Sequence, residues 1–370
     1  MSRAAFICDE ILWAGGHPPG HPLRPERLRD TWEMLQAYRA FDAPNTQVVP
    51  PRPPSVDELA TFHTREYIEA VRKLSQGQPS PKHPATYNFG PGDNPIFAGM
   101  FESESLKVGA ALVGTELLLK NEVEVAFSFA GGLHHAGRDF ASGFCVFGDG
   151  AVAIQRMLAE GWRVAYIDID AHHGDGVQAA FYSDPRVLTL SFHESGHYLF
   201  PGTGFTHELG QGAGHGFSVN IPLLPYTDDD TFLWAFDQLV PPLLARFGPD
   251  VVVAQLGVDA HWRDPLTHLA LTTHGFEALF QRIHALAPRW LAFGGGGYDL
   301  SVVPRAWTLA WGVMSGQTFA DTLPDPIAAR YDPPLLHDST PAPISDSQRQ
   351  QARRAVEQIV VELRKLLDLS

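Results

Sequence analysis

The chain has 370 residues, of which 44% are hydrophobic and 19% are charged, a composition typical of a globular protein long enough to enclose a pocket. Its formal net charge of -15 argues against a general nucleic-acid-binding protein. Its two cysteines, Cys8 and Cys145, exclude a disulfide framework and a zinc site built from cysteines.

No run approaches the roughly 18 apolar residues that a membrane span needs. The first residues carry no apolar core of the kind that directs export. We therefore expect a cytoplasmic protein with no membrane partner.

Uniformly apolar runs predict short buried strands, and helical periodicity predicts the helices between them. The strands are expected at residues 4–8, 123–129, 164–167, 186–193, 251–257 and 290–293. The helices are expected at about 24–41, 56–75 (one or two helices), 103–120, 147–160, 176–182, 228–247, 272–287 and 302–315. Pro25 suits the first turn of the first helix.

Three segments lack periodicity. Residues 76–94, rich in proline, glycine, tyrosine and asparagine, and residues 194–216, with many glycines, are long loops. Loops of that length in a compact domain are usually functional or disordered. Residues 323–345 are rich in proline and predict an extended tail. A final helix at 347–369 is expected to dock on the body rather than on a second copy, through a stripe formed by Val356, Ile359, Leu363 and Leu366.

Strands that alternate with long helices predict βαβ units around a parallel sheet. We therefore predict a single-domain α/β fold, an open parallel β-sheet covered by helices on both faces, with the long loops forming a channel. Binding sites in such sheets lie beyond the carboxyl ends of the strands. Four strand outlets are thus expected to converge on one crevice: His134 and His135, Asp168 to Asp175, Asp259, and Gly294 to Tyr298.

The stretch from Val164 to Asp175 concentrates acidic and imidazole side chains more than any other part of the chain. An apolar strand is followed by five polar groups within eight residues, namely Asp168, Asp170, His172, His173 and Asp175. An unpaired buried carboxylate is energetically costly, and aspartate and histidine are ordinary ligands of zinc-like metals. A hydrogen-bonded turn explains any one of these residues, but the whole set favours a metal or catalytic site.

Asp170, His172 and Asp259 form a candidate metal site. Three protein ligands leave positions open for water and substrate, which is typical of a catalytic rather than a structural site. Two carboxylates and one imidazole leave a divalent ion formally neutral, yet still able to lower the pKa of its water.

The adjacent His134 and His135 follow a Gly-Gly turn and suggest a general base and acid. A lone histidine is more often a hydrogen-bonded structural residue. Each imidazole needs an orienting partner, and Asp168 and Asp175 are the acids not used by the metal. Tyr298 follows four glycines, and its hydroxyl could stabilise an oxyanion.

The glycine run 294–297 has a competing interpretation as a phosphate-binding turn before a helix. The chain has no Gly-x-x-x-x-Gly-Lys-Ser/Thr, Gly-x-Gly-x-x-Gly or Gly-x-Ser-x-Gly segment. Nucleotide-binding and serine-hydrolase functions are therefore disfavoured.

Five ordered segments carry a family resemblance: 24–27, 131–136 with 142–145, 168–175, 257–259 and 294–298. Together they resemble the histone deacetylase superfamily, with its arginase-like α/β fold, and most of all its bacterial members, which include acetoin-utilisation deacetylases. The similarity runs from about His17 to Gly316. It implies a deacetylase catalytic domain over 1–320, a Pro-rich extended segment over 321–346 and a docked helix over 347–370.

The resemblance implies that Asp170, His172 and Asp259 bind Zn²⁺, with Fe²⁺ as the alternative. His134 and His135 would be the catalytic pair, held by Asp168 and Asp175 respectively, and Tyr298 would polarise the substrate carbonyl.

Further positions match residues that line the family's acyl-lysine channel. The resemblance implies substrate contacts by Asp93 at the rim, where a solvated turn is the alternative, and by Gly143, Phe144, Phe200, Leu266 and Gly296. Arg27 would line an inner cavity through which acetate leaves. A structural K⁺ or Na⁺ would be held by Asp168, Asp170, His172, Ser191 and Phe192.

The segment Phe147-Gly148-Asp149 departs from the family pattern, which carries asparagine before the aspartate. We expect this departure to affect packing more than chemistry.

The predicted reaction is hydrolysis of the acetyl-lysine amide of a protein or peptide, giving lysine and acetate. Three alternatives stay open: an acetylated polyamine or other small amide as substrate, an arginase-like hydrolase with two manganese ions, and a module that binds acyl-lysine without cleaving it. The second is disfavoured because His173 and Asp175 have no evident second bridging acid. The third is disfavoured by the full set of metal ligands, histidines and tyrosine.

Overall fold

An eight-stranded parallel β-sheet lies at the centre of the computed structural model, which describes residues 2–369. Met1, the first residue of the predicted range 1–320, and Ser370, the last of 347–370, lie outside the described residues. The strands are β1 (Ala4–Ile7), β2 (Thr46–Val49), β3 (Val125–Ser128), β4 (Val164–Asp168), β5 (Val187–Glu194), β6 (Ser218–Leu223), β7 (Val251–Gln255) and β8 (Trp290–Phe293). Their order in the sheet is β2-β1-β3-β8-β7-β4-β5-β6, and all neighbours run parallel.

Helices connect these strands and follow the last of them. They are α1 (Ile11–Ala14), α2 (Glu26–Ala37), α3 (Val56–Leu59), α4 (Arg65–Ser75), α5 (Met100–Leu119), α6 (Asp149–Ala159), α7 (Asp175–Phe181), α8 (Asp229–Phe247), α9 (Thr273–Leu286), α10 (Val303–Ser315), α11 (Asp325–Ala328) and α12 (Asp346–Leu366). Among residues 2–369, no helix combines the length and the apolar character needed to cross a membrane.

The two faces of the sheet bury separate cores. In β7, Val252 and Ala254 pack with α2, α8, α9, α10 and α12, whereas Val251 and Val253 pack with α4, α5, α6 and α7. Successive side chains of a strand point to opposite faces, so a strand covered on both sides has to be apolar throughout. The predicted α/β fold, an open parallel sheet with helices on both faces, is confirmed.

Both edge strands, β2 and β6, were missed by the sequence prediction. β2 has four residues, is partly exposed and leads into the prolines of 50–54. β6 contains Asn220 and Pro222, and proline is tolerated at an edge because the strand needs to bond only one neighbour. A search for uniformly apolar runs therefore finds the centre of the sheet and overlooks its borders.

The last helix, α12, packs against α8 and β6, but its buried stripe differs from the predicted one. Its buried apolar side chains are Ala352, Val356, Val360 and Leu363, and Leu367 follows directly after the helix. Leu366 is 42% exposed, so its assignment to the stripe was wrong, and Ile359 is only partly buried. The buried positions are three or four residues apart, which keeps them on one face of the helix.

The proline-rich segment 321–346 is folded against the body over part of its length. It contains α11, and its Leu323, Ile327 and Leu336 form a small core with Met34 of α2 and Leu309 of α10. The prediction of a wholly extended segment was wrong here, because apolar residues between the prolines bury against the two helices.

Candidate active site and metal centre

The site lies where four neighbouring strands end. β3, β8, β7 and β4 are adjacent in the sheet, so the segments that leave their carboxyl ends border one crevice. These segments are 129–135, 294–298, 256–259 and 168–175. The structure thus brings together the four outlets that the sequence analysis singled out.

Asp170, His172 and Asp259 direct three ligand atoms at one another. His172 Nδ1 lies 3.1 Å from Asp170 Oδ1 and 2.9 Å from Asp259 Oδ2. The ligand atoms of all three residues lie within 4.8 Å of one another, and all three residues are buried. Carboxylate oxygens and imidazole nitrogen are ligands of zinc and similar ions, so this donor set fits a divalent transition metal.

The remaining oxygens of the two carboxylates are held by N–H donors. Asp170 Oδ2 accepts hydrogen bonds from Gly296 N–H at 2.8 Å and Gln255 Nε2 at 2.7 Å. Asp259 Oδ1 accepts one from Ala171 N–H at 2.7 Å. Such contacts orient metal ligands. The sequence analysis missed Gln255, whose signal was a polar side chain at the end of the otherwise apolar β7.

Two glycines lie too close to the ligands to carry a side chain. A Cβ atom at Gly257 would lie 2.1 Å from Asp170 Oδ2, and one at Gly296 would lie 2.2 Å from Asp259 Oδ2. Gly296 therefore supports the ligand carboxylates, and its expected contact with substrate stays a prediction.

The pKa values of the two carboxylates are shifted in opposite directions. Burial and the neighbouring charge of Asp170 raise the pKa of Asp259 to about 6. Burial opposes ionisation of Asp170 as well, but the imidazoles of His134 and His172 hold its pKa well below the usual range. Two buried like charges repel each other, and a divalent ion would remove that repulsion.

Each of the paired histidines is bound by one carboxylate. His134 Nδ1 lies 2.7 Å from Asp168 Oδ2, and His135 Nδ1 lies 2.6 Å from Asp175 Oδ1. Asp168 is fully buried and also accepts a hydrogen bond from the Tyr166 hydroxyl, whereas the Asp175 side chain is 28% exposed. Because Nδ1 of each ring is occupied, Nε2 is the nitrogen left for chemistry.

The two imidazoles face each other through their Nε2 atoms, which are 3.0 Å apart. At that distance one ring donates a hydrogen bond and the other accepts it. Burial disfavours charge on both rings, but Asp168 and Asp170 raise the pKa of His134 to about 9. Burial and the neighbouring His134 lower the pKa of His135 to about 4. The pair thus combines an acidic and a basic group, as general acid–base catalysis requires.

Tyr298 approaches the crevice from the glycine turn after β8. Its ring centroid lies 5.9 Å from that of Phe144 and 6.0 Å from the guanidinium carbon of Arg27. Burial, together with the charges of Asp259 and Asp170, raises the pKa of the hydroxyl well above its usual value. The hydroxyl therefore stays protonated and is available as a hydrogen-bond donor.

Two polar side chains missed by the sequence analysis hold the residues around the crevice. Asp264 Oδ2 accepts a hydrogen bond from Tyr298 N–H at 2.8 Å, and its Oδ1 accepts one from Leu266 N–H at 2.9 Å. Asn94 Oδ1 accepts one from Phe144 N–H at 3.1 Å. Their only signal in the sequence is proximity to a metal ligand and to the predicted rim acid.

Gly143, Phe144 and Phe200 flank the paired histidines. The Phe200 ring centroid lies 5.1 Å from that of His135. A Cβ atom at Gly143 would lie 2.3 Å from the His135 ring and 3.0 Å from the Phe200 ring, so only glycine fits between them. Phe144 has a φ of 70°, unusual for a bulky residue, and its hydrogen bond to Asn94 stabilises that conformation.

The expected rim residues border two surface pockets. One is lined by Asp93, Gly143 and Phe200, and the other by Leu266, Tyr298 and the loop 17–26. Asp93 is exposed, and its backbone carbonyl accepts a hydrogen bond from His21 Nε2 at 3.2 Å. The expected contact of Asp93 with substrate stays a prediction.

A small cavity of about 30 Å³ lies beside the site, with Arg27, His17 and Lys107 among its lining residues. Arg27 Nη1 donates hydrogen bonds to the carbonyls of Gly295 and Gly297, both at 2.9 Å. Over residues 2–369, Arg27 Nε and His17 Nε2 have no hydrogen-bond partner. Unpaired polar atoms around a cavity favour a polar guest, and the acetate route past Arg27 stays a prediction.

A buried ion pair between Lys107 and Glu104 borders this cavity. Lys107 Nζ lies 2.8 Å from both carboxylate oxygens of Glu104, and the side chains of Lys107 and Glu104 are 9% and 0% exposed.

We expect Lys107→Met to lower the free energy of unfolding by about 3 kcal/mol, because it leaves the buried Glu104 carboxylate without its counter-charge. Denaturant unfolding measures this loss. The double variant Glu104→Gln/Lys107→Met should recover most of it, and a single variant as stable as the parent protein would contradict the prediction.

Of the residues expected to hold a monovalent cation, Asp168 and Ser191 are paired in register between β4 and β5. Burial lowers the pKa of His193 well below its usual value, and its Nε2 donates to the Gly204 carbonyl at 2.9 Å. Its neutral Nδ1 is therefore an acceptor, so Ser191 Oγ donates to it at 2.9 Å. The lone pairs of Ser191 Oγ stay available for a cation, whose presence remains a prediction.

A second metal ion beside the first is disfavoured by the contacts of His173 and Asp175. His173 Nδ1 lies 2.8 Å from Thr203 Oγ1, and its Nε2 lies 3.1 Å from Gln178 Oε1. Asp175 is bound to His135. Because protein partners already occupy these groups, the arrangement favours one metal.

The segment 147–149, which departs from the family pattern, packs behind the site. Asp149 accepts hydrogen bonds from Gly132 N–H at 2.9 Å and Leu133 N–H at 2.8 Å, and so supports the turn before the paired histidines. Gly148 N–H donates to His63 Nε2 at 3.0 Å. The glycine in place of asparagine thus lies in a buried packing environment rather than in the crevice.

Similarity to known proteins agrees with this arrangement. Residues 21–314 match the family described as Histone deacetylase domain. The Acetoin utilization protein AcuC of Bacillus subtilis (strain 168) is 46% identical over 303 residues, which are 80% of this chain and 78% of that protein. The protein of the same name from Staphylococcus xylosus is 36% identical over 321 residues, 85% of this chain and 83% of that protein. The crystal structure of an HDAC homolog from Aquifex aeolicus superposes with a TM-score of 0.87 at 31% identity, covering 96% of this chain and 100% of that one.

Proposed function

The chain belongs to the histone deacetylase family, and from that premise we propose that it removes acetyl or related acyl groups from the side-chain amine of lysine in proteins or peptides. The observation that supports this most directly is one crevice that joins two His–Asp pairs to a three-ligand metal site. The name Acetoin utilization protein, which the relatives carry, favours a role in acetoin utilisation.

Asp170, His172 and Asp259 would hold the metal, for which we propose Zn²⁺ with Fe²⁺ as the alternative. When bound, a divalent ion would polarise the acyl carbonyl and make the attacking water more acidic. We further propose a structural K⁺ or Na⁺ beside Ser191, whose hydroxyl lone pairs are not used by a protein donor.

Proton transfer falls to the paired imidazoles. His135 is neutral near pH 7, and its Nε2 can take the proton of the attacking water in exchange for the hydrogen bond that it accepts from His134 Nε2. The Nε2 proton of His134 can then pass to the leaving amine. Asp168 and Asp175 keep both rings oriented through Nδ1.

Charge on the substrate oxygen and access of water are controlled by other groups. The protonated Tyr298 hydroxyl is a donor for the carbonyl oxygen as negative charge develops there. Phe144 and Phe200 would border the uncharged four-carbon stem of acyl-lysine and keep bulk water from it.

A comparison of substrates tests the proposal. The metal-loaded protein is expected to hydrolyse an acetyl-lysine peptide with a kcat/KM at least about tenfold above that for N-acetylputrescine, because the exposed Asp93 can bind the peptide backbone. Acetate release measures both reactions in one sample. A preference for N-acetylputrescine would make the protein a small-amide hydrolase instead.

Asp93→Asn supplies the matched control. The variant should lower kcat/KM for the peptide by about tenfold, since it weakens a hydrogen bond to a charged group. It should leave hydrolysis of N-butylacetamide unchanged, because that compound has the acetyl group and stem but no peptide backbone. Equal losses for both compounds would contradict the assigned role of Asp93.

A further inference from the structure

The proline-rich segment 321–346, which follows the family-matched residues 21–314, inserts one carboxylate into the body of the protein. Asp338 Oδ2 accepts hydrogen bonds from His261 Nε2 at 2.7 Å and Thr273 N–H at 2.9 Å, and Oδ1 accepts one from Arg305 Nη2 at 3.0 Å. The side chains of Asp338, His261 and Arg305 are 8%, 0% and 7% exposed. Three donors from three different segments therefore meet on one buried carboxylate.

His261 lies two residues after the metal ligand Asp259. Its Nδ1 accepts a hydrogen bond from Arg263 N–H at 3.1 Å, so Nε2 carries the proton that is donated to Asp338. Burial alone would raise the pKa of Asp338, but the contacts of His261, Thr273 and Arg305 hold it below its usual range. The bond is thus a charge-assisted one from a neutral imidazole to a carboxylate.

The same loop also supports Tyr298. The backbone carbonyl of His261 accepts a hydrogen bond from Asp264 N–H at 2.8 Å, and Asp264 Oδ2 accepts one from Tyr298 N–H at 2.8 Å. A displacement of His261 would therefore be transmitted towards both Asp259 and Tyr298.

Arg305 connects the segment that follows Tyr298 to the same carboxylate. It belongs to α10, the helix that follows the Tyr298 turn, and its Nε donates to the Ser301 carbonyl at 2.7 Å. Asp338 therefore joins the end of the loop that carries Asp259 to the start of the helix that follows Tyr298.

We propose that Asp338 is a positioning residue, which holds Asp259 and Tyr298 in place through His261 and Arg305 and so prolongs metal binding. The inference rests on the proposed metal site. Partners that orient metal ligands commonly change metal affinity by about 10–100-fold when they are mutated.

Asp338→Asn is the central variant. It keeps the size of the side chain but turns one acceptor oxygen into an amide N–H group, which then faces a donor instead of binding it. Asp321→Asn is the matched control. Asp321 belongs to the same segment and accepts hydrogen bonds from the Nδ1 and the backbone N–H of His337, both at 2.8 Å. The His337 ring contacts Glu277 and His274 rather than the loops of the site.

The measured quantity is the rate at which each Zn²⁺-loaded protein loses its ion to a chromogenic chelator. We expect Asp338→Asn to release Zn²⁺ about tenfold faster than the parent protein, and Asp321→Asn to match the parent. Melting of the metal-free proteins separates positioning from general stability. Equal release from Asp338→Asn and the parent would overturn the inference, as would faster release from both variants.

His261→Asn tests the connection by a second route. The asparagine oxygen can replace Nδ1 as the acceptor for Arg263 N–H, while the contact with Asp338 is lost. We expect the same increase in Zn²⁺ release, and no further increase in the double variant, because both substitutions break one interaction. Additive increases would overturn the connection. A parent protein that binds no Zn²⁺ would instead overturn the proposed function together with this inference.

Discussion

Tyr298→Phe is expected to lower kcat for an acetyl-lysine peptide by roughly 10²–10³, the usual loss when one oxyanion donor is removed. The hydroxyl is kept protonated by burial and by the charges of Asp259 and Asp170, so it can donate to the carbonyl oxygen as charge develops. Phenylalanine keeps the ring and its contact with Phe144. The metal content should stay intact, since Tyr298 is not part of the donor set.

The loss should appear in kcat far more than in KM, because an oxyanion exists only after attack has begun. Tyr38→Phe is a suitable control, since it also removes a hydroxyl hydrogen bond, to the Ala320 carbonyl at 2.8 Å, but outside the crevice. Unchanged turnover of Tyr298→Phe would remove this residue from the mechanism.

Asp259→Ala is expected to abolish metal binding and turnover together. The substitution leaves only Asp170 and His172 as donors, too few to fix an ion in this crevice. It also deprives Ala171 N–H of its acceptor. Elemental analysis of the purified variant, with turnover measured on the same sample, tests the expectation. A variant that keeps a full complement of metal would show that Asp259 is not a ligand.

Asp264→Asn separates loss of metal from loss of Tyr298. Asp264 is buried in the same loop but holds the Tyr298 backbone rather than an ion. We therefore expect this control to retain its metal while its turnover falls. Thermal melting provides a second test. Added Zn²⁺ should raise the melting temperature of Asp264→Asn and of the parent protein, but not that of Asp259→Ala.

The centre of the fold was predictable from the sequence because both faces of a covered parallel strand must be apolar. Residues 251–257 show this mostly apolar pattern clearly, and β7 covers most of that range. The edge strands and the last helix are less clearly marked in the sequence. β6 tolerates Pro222 and Asn220 because it has only one neighbouring strand. Leu366 was assigned to the wrong face of α12 because the helix has more apolar residues than its buried face takes up. In both cases the deciding factor is what packs against the element.

The candidate site shows the same division. Parallel strands end at one edge of the sheet, so polar residues that follow β3, β4, β7 and β8 could be expected to meet. The residues that hold them in place could not be found in this way. Asp338 lies 77 residues after His261, and no local sequence pattern predicts a contact over that separation.

The sequence by itself determined the fold class and the residue types that gather in the crevice, because periodicity and strand ends are local properties of the chain. Only the tertiary structure decided which nitrogen of each histidine is occupied, which carboxylates face each other, and that a proline-rich segment clamps the loops of Asp259 and Tyr298. These features depend on hydrogen bonds between distant segments, whose partners become neighbours only when the packed helices bring them together.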